Sequence, residues 1–115
     1  LMTDDNFELW DLRIEVVEGD GPTVCGRNNG AHFTVSGEEV SFPEGASFSF
    51  YELSALLPLL AAKQRALHPN DWMSTDSEVA CPDPNCGARF RIMRTSKREF
   101  RHAETTRTPL NRDDT

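Results

Sequence analysis

Two cysteines, Cys81 and Cys86, bracket the stretch CPDPNCG, with prolines at 82 and 84 between them and Gly87 directly after. Thiolates so spaced suit a soft metal. Zinc takes four thiolate or imidazole ligands in a tetrahedron, commonly two from each of two knuckles, with two to four residues between the ligands of a pair. Cys81 and Cys86 lie at the wide end of that range, and a glycine after the second cysteine relieves the tight turn that a knuckle requires. No second cysteine pair exists. The remaining soft donors are Cys25, His32, His68 and His102. Cys25 and His32 flank the Asn28-Asn29-Gly30 turn, so strands pairing around it would bring the two side chains near each other. The spacing therefore predicts a zinc or other soft-metal site made of Cys81, Cys86, Cys25 and His32, with His102 as the alternative fourth ligand.

Each residue also has a purely structural reading. Cys25 on an apolar strand packs as a small hydrophobe, and Asp83 between two prolines caps the N–H groups of a stiff turn. His32 beside Phe33 fits a strand-surface histidine, and His102 fits a strand position paired with Glu99 or Glu104. Disulfide exchange is poorly served, because catalytic dithiols favour two intervening residues at a helix N-terminus. A cysteine nucleophile needs a base in hydrogen-bond reach; Cys25 with His32, or Cys81 with His68, are the pairs available. The adjacent acids Glu38-Glu39 and Asp113-Asp114 read as solvated charge. Asn70-Asp71-Trp72 is a polar cluster that either lines a small pocket or caps a turn over a core tryptophan. No phosphate-binding loop, dinucleotide fingerprint or G-x-S-x-G elbow occurs.

These residues need elements to position them. Residues 7–18, FELWDLRIEVVE, alternate as a strand with Leu12, Ile14 and Val16 on one face. After the GDGP turn come a short strand, TVCG, and the RNNG turn. A returning strand follows in AHFTVSG, and an edge strand or loop in EEVSFPEG. The period then changes. Residues 49–67, SFYELSALLPLLAAKQRAL, read as a helix opened by a Ser49/Glu52 capping box. Leu53, Leu56, Leu57, Leu60 and Leu67 form its apolar face, and Pro58 either kinks it or divides it. After the knuckle, ARFRIMR and REFRHAE flank TSK as a β-hairpin. The expected architecture is α+β: a small antiparallel sheet or half-barrel covered by the Leu-rich helix, with a C-terminal hairpin after the cysteine knuckle. Residues 1–104 form one domain and 105–115 a polar tail.

The chain has 115 residues and a net charge of −7, unevenly spread. Residues 1–60 hold eleven acids against two bases; residues 61–115 hold ten bases against eight acids. The acidic total argues against nucleic acid. The split suits complementarity within the chain or between subunits. The longest apolar run, 55–62, is too short to span a bilayer. An odd cysteine count and an acidic start without a signal-like apolar stretch lead to the expectation of a cytoplasmic protein with reduced thiols.

The combination of ELSALLPLL (52–60), CPDP (81–84) and a cysteine followed by GAHF (30–33) resembles a family of small, uncharacterised bacterial proteins. That family has an ALSALLP-type helix and a CPDP motif. The likeness covers most of residues 9–94. The family pattern has an acidic residue after the glycine, where this chain has Ala31. The resemblance implies a compact bacterial domain without an assigned activity. The leading expectation is a small cytoplasmic accessory or binding domain, as a homo-oligomer or the small subunit of a bacterial enzyme, stapled by zinc at the knuckle. Its rival is a small enzyme that applies a cysteine thiolate, or a Cys/His-bound metal, to a small polar metabolite.

Overall fold

The computed structural model describes residues 5–19 and 30–111. The first strand, β1 (Asn6–Val17), follows its alternation: Leu12, Ile14 and Val16 are buried, while Arg13 and Glu15 pair at 3.0 Å on the opposite face. Gly30 returns the chain at φ +88°, a conformation that favours glycine, and donates its N–H to Val16 O at 2.9 Å. Strand β2 (His32–Ser36) then pairs antiparallel with β1, setting Phe33 opposite Ile14 and Val35 opposite Leu12. The three-residue edge strand β3 (Glu39–Ser41) pairs with β2. It occupies three residues of the stretch 38–45, for which the sequence allows an edge strand or a loop.

Helix α1 (Phe50–Lys63) begins with the expected capping box: Ser49 Oγ accepts from Glu52 N at 3.1 Å, and Glu52 Oε1 accepts from Ser49 N at 2.7 Å. The helix runs through Pro58, whose missing N–H falls on the exposed side, where water can reach the Ser54 carbonyl. It stops four residues before the expected end. Gln64 is its C-cap, and Leu67 lies beyond it. The last carbonyls are claimed by the sheet: Arg94 Nε and Nη2 donate to Lys63 O and Arg65 O at 2.8 and 3.0 Å, and Trp10 N donates to Gln64 O at 2.8 Å. These partners satisfy groups that a helix end otherwise leaves open. The buried face also differs from the expected one. Leu56 and Leu60 are buried and Leu53 is half-buried, but Leu57 points outward and is 46% exposed.

A one-turn helix, α2 (Trp72–Thr75), is capped by Asp71, whose Oδ1 accepts from Met73 N at 2.9 Å. Trp72 is on the surface rather than in the core. Strand β4 (Glu78–Ala80) then leads into the cysteine loop and β5 (Arg89–Arg101).

The expected C-terminal hairpin does not form. Residues 89–101 are one strand, antiparallel to β1 from Asn6↔Arg101 to Val17↔Arg89. The TSK stretch has neither glycine nor proline nor asparagine, and its Ser96 is a weak turn former. Instead Thr95 and Ser96 oppose the single Asp11 where the register shifts, a β-bulge. The Asp11 backbone carbonyl and carboxylate accept their hydroxyls at 3.2 and 3.0 Å. Phe100 therefore stacks on Phe7 of β1, at 5.5 Å, and not on Phe90. His102 leaves the sheet to open a short helix, α3 (His102–Thr105).

The sheet order is β3-β2-β1-β5-β4, with every pairing antiparallel. This is the α+β class expected, built as an open five-stranded sheet with α1 on one face. Leu12, Ile14, Val16, Phe33, Phe90 and Ile92 form the core with Leu56 and Leu60. Phe48 joins it edge-on to Phe33, with ring centres 5.2 Å apart.

The charge split is met in part inside the chain, where β5 lies against the acidic start of the sheet. Lys97 faces Glu8 at 3.8 Å, Arg98 faces Asp11 at 3.1 Å, Arg101 faces Asp5 at 3.2 Å and Arg91 faces Glu78 at 2.8 Å. Exposed pairs of this kind add little stability on their own. Burial pushes the Asp11 carboxyl up, but hydrogen bonds from Arg98, Ser96 and Ser36 outweigh it and hold the group below its ordinary value. Asp5 is also lowered, chiefly by the Ala103 N–H, with Arg101 helping.

Candidate functional site

The start of α1 and the loop after β4 face each other across a cleft of about 490 Å³. Ser49, Tyr51 and Glu52 form one wall, and Cys81, Pro82, Asp83 and Pro84 the other. The helix wall follows from the capping box, which turns Glu52 inward until it is 2% exposed. The same turn leaves the neighbouring Tyr51 ring 65% exposed, in contact with Phe50 at 4.3 Å.

The loop wall is held by its own hydrogen bonds. Asp83 Oδ1 accepts from Asn85 N at 2.9 Å, the turn-capping role expected of it. Cys86 N donates to Asp83 O at 3.0 Å, and Cys81 N donates to Ala88 O at 3.1 Å, so residues 81–88 form a closed loop. Cys81 is half-buried against the core and Cys86 is buried.

The predicted ligands are placed as follows. Cys81 and Cys86 share this loop. Cys25 lies outside the described residues. His32 is on the sheet face opposite Phe33, beside Glu15, with Nδ1 3.2 Å from Gly30 O. His102 is drawn to the other end of β5, where its N–H donates to Asp5 O at 2.8 Å and Nε2 lies 2.7 Å from Thr108 O. Among the described residues no group of three or more His, Cys, Asp or Glu side chains is gathered for a metal ion. His32 therefore does not join Cys81 and Cys86, because strand alternation turns it away from the core side.

Neither His68 nor any other histidine among the described residues lines the cleft. Asp71 and Trp72 are not part of the lining of this cleft; Asp71 caps α2. Glu38 and Glu39 are both exposed, as solvated charge should be.

The second notable surface is α1 itself. Its sequence, FYELSALLPLLAAK, is apolar on nearly all sides, and a helix of that kind is ordinarily covered all round. Here Phe50, Tyr51, Ser54, Leu57, Pro58 and Ala61 are exposed. Among the described residues no helix is long and apolar enough to cross a membrane.

Comparison with family models, curated proteins and solved structures returns no match, so the site is defined by its own geometry. Sequence reasoning placed Cys81 and Cys86 in a candidate site and gave Asp83 a turn-capping role, but did not assign Tyr51 and Glu52 to the wall opposite them. The capping box was the available signal, since it fixes which way Glu52 turns.

Proposed function

We propose that this protein is a small accessory or binding domain that works by docking a protein partner on the outer face of α1, beside the cleft. The observation that carries this reading is the exposed apolar stripe on a helix with almost no polar side. Exposed apolar side chains grouped along one side of a helix suit an interaction site. The internal pairing of the basic strand with the acidic one supports an uncharged docking face over an electrostatic one.

Tyr51, the only tyrosine in the chain, reports on this face. Acetylation of its phenol by N-acetylimidazole, read by peptide mass, should be fast in the dilute purified chain and strongly suppressed in undiluted extract. Equal reactivity in both would end the docking reading.

A structural zinc held by Cys81 and Cys86 and completed from Cys25 belongs to the same proposal. The closed 81–88 loop supports it, because a knuckle needs a fixed turn between its thiolates. Full-length protein purified without chelator should carry about one zinc per chain and lose it on Cys86→Ser; metal-free wild type would remove the zinc from this reading.

A small enzyme built on Cys81 is the second reading, supported by the position of that thiol in the cleft wall. It requires a thiolate alkylated rapidly at neutral pH.

A further inference from the structure

We infer that a second cleft, at the C-terminal end of α1, binds a small organic cation: a primary ammonium carried on a flat apolar body, as in an arylalkylamine. The inference does not rest on the docking reading. This cleft holds about 530 Å³, a volume in the range of small-molecule sites. Its floor is Leu9 with the rings of Phe7 and Phe100, which stack across β1 and β5 with centres 5.5 Å apart. Leu9 is buried, but both rings are only half-buried, which leaves apolar area for a flat group to cover.

Gln64, the C-cap of α1, supplies the polar point of the floor. It is 6% exposed and lines the cleft. Its Nε2 donates to Gly37 O at 2.8 Å. A carbonyl only accepts, so the amide is fixed with Oε1 turned away from Gly37. Gly37 can lie this close because it has no side chain: its φ is +61°, and a Cβ there would stand 3.3 Å from Arg98 Nη2 and 3.6 Å from Phe100 Cε2. Among the described residues nothing donates to Gln64 Oε1. A buried acceptor that opens on a cleft calls for a donor from the occupant.

The rim sets the sign of the occupant's charge. It carries Glu38 from the β2–β3 turn, Arg65 from beyond α1, Arg101 from the end of β5 and Glu104 from α3. Arg101 is committed to Asp5 at 3.2 Å. Arg65 donates to Ala61 O at 2.7 Å; among the described residues neither it nor Glu38 nor Glu104 forms an ion pair. Two carboxylates against one guanidinium leave an acidic excess, which attracts an ammonium and repels a carboxylate. The ammonium also brings the N–H donors that Gln64 Oε1 lacks. Phe100 already holds the Arg98 guanidinium 5.0 Å from its ring centre, so the apolar body, and not the ammonium, belongs over the rings.

Titration of phenylethylammonium into the isotope-labelled full chain, followed by amide NMR, tests this. The Gln64 side-chain NH2 signals and the Gly37 amide should move together, with a Kd on the order of 0.1–1 mM for so small a ligand. Phenylpropionate keeps the ring and reverses the charge, and ethylammonium keeps the charge and drops the ring; each should bind about tenfold more weakly or worse. Glu38→Gln and Glu104→Gln, both at exposed positions, should each weaken phenylethylammonium binding about threefold. Glu44→Gln, at an exposed position outside the cleft, should leave it unchanged. Ethylammonium binding as tightly, or Glu44→Gln weakening binding as much as the rim variants, would mean that the net charge of −7 merely gathers cations, and overturns the inference. Phenylpropionate binding as tightly overturns it too, as do Gln64 and Gly37 signals that stay in place at the highest ligand concentration.

Discussion

Phe90→Ala should lower the unfolding free energy by about 3–5 kcal/mol, the range for removing a fully buried phenylalanine ring. Phe90 is 0% exposed and sits where three strands meet, opposite Val16 of β1 and Val79 of β4. Its ring also faces Phe48, with centres 6.5 Å apart, on the approach to α1. The ring thus ties the sheet to the segment that positions the cleft. Its loss opens a cavity that flat neighbours on both strands cannot close by collapse. Urea unfolding should show a lower midpoint with little change in slope. A loss under about 1 kcal/mol would mean that the core there is loosely packed.

The second large effect is expected at Lys63, a cation in the last turn of α1 that is only 6% exposed. Its ammonium donates to Met73 O at 2.6 Å and to Asp76 O, pinning the α2 turn against the end of α1. Lys63→Met keeps the stem and removes the donor. Hydrogen bonds to a charged group contribute about 1.5–3 kcal/mol, and relief of the buried charge returns part of it. The net loss should be about 2 kcal/mol, with exchange of the 68–76 amides rising most.

Lys63 also has a pH signature. Burial, with Arg94 nearby adding to it and Asp76 opposing, holds its pKa below the ordinary 10.5. A base whose pKa is lowered on folding holds fewer protons folded than unfolded between the two values. Stability therefore rises with pH through that window and is flat below it. Urea midpoints from about pH 8 to about pH 10.5 should show this rise in wild type and not in Lys63→Met. A wild-type midpoint that falls over the same range would contradict the burial of a charged Lys63.

The elements set by local pattern were readable in the sequence, and those set by distant partners were not. Strict alternation in 12–17 and 32–36 fixes which side of each strand is buried, and the Ser49/Glu52 box fixes where α1 starts. Leu57 was assigned to the wrong side for a physical reason. When nearly every helical position is apolar, a 3.6-residue period has no polar face against which to locate the inner one. Residues 95–97 look like a break only when read alone. Asp11, far away in sequence, accepts both hydroxyls and turns the break into a bulge within one strand. Trp72 was expected in the core from its composition, but it follows an N-cap on a surface turn, and the cap decided its place. In the cleft, the cysteine loop was legible from its prolines and Asp83. The opposite wall was not, because nothing local brings Tyr51 and Glu52 to Cys81.

The pairing of β1 with β5 along their full lengths has a kinetic consequence. Among the described strands the central one, β1, is synthesised first and its longest partner, β5, last. During translation β1 can gain only the short β2 ladder on one edge, while the other edge waits for residues 89–101. Closing so long a loop is entropically slow, and folds dominated by such contacts fold slowly. The acidic side chains here, Glu8 and Asp11 in β1 and Asp5 just before it, are then unneutralised on the nascent chain. Their mutual repulsion discourages early pairing of that open edge with another chain until the cations of β5 arrive. The charge asymmetry of the sequence thus opposes pairing of β1 with a like-charged copy for as long as β5 is absent.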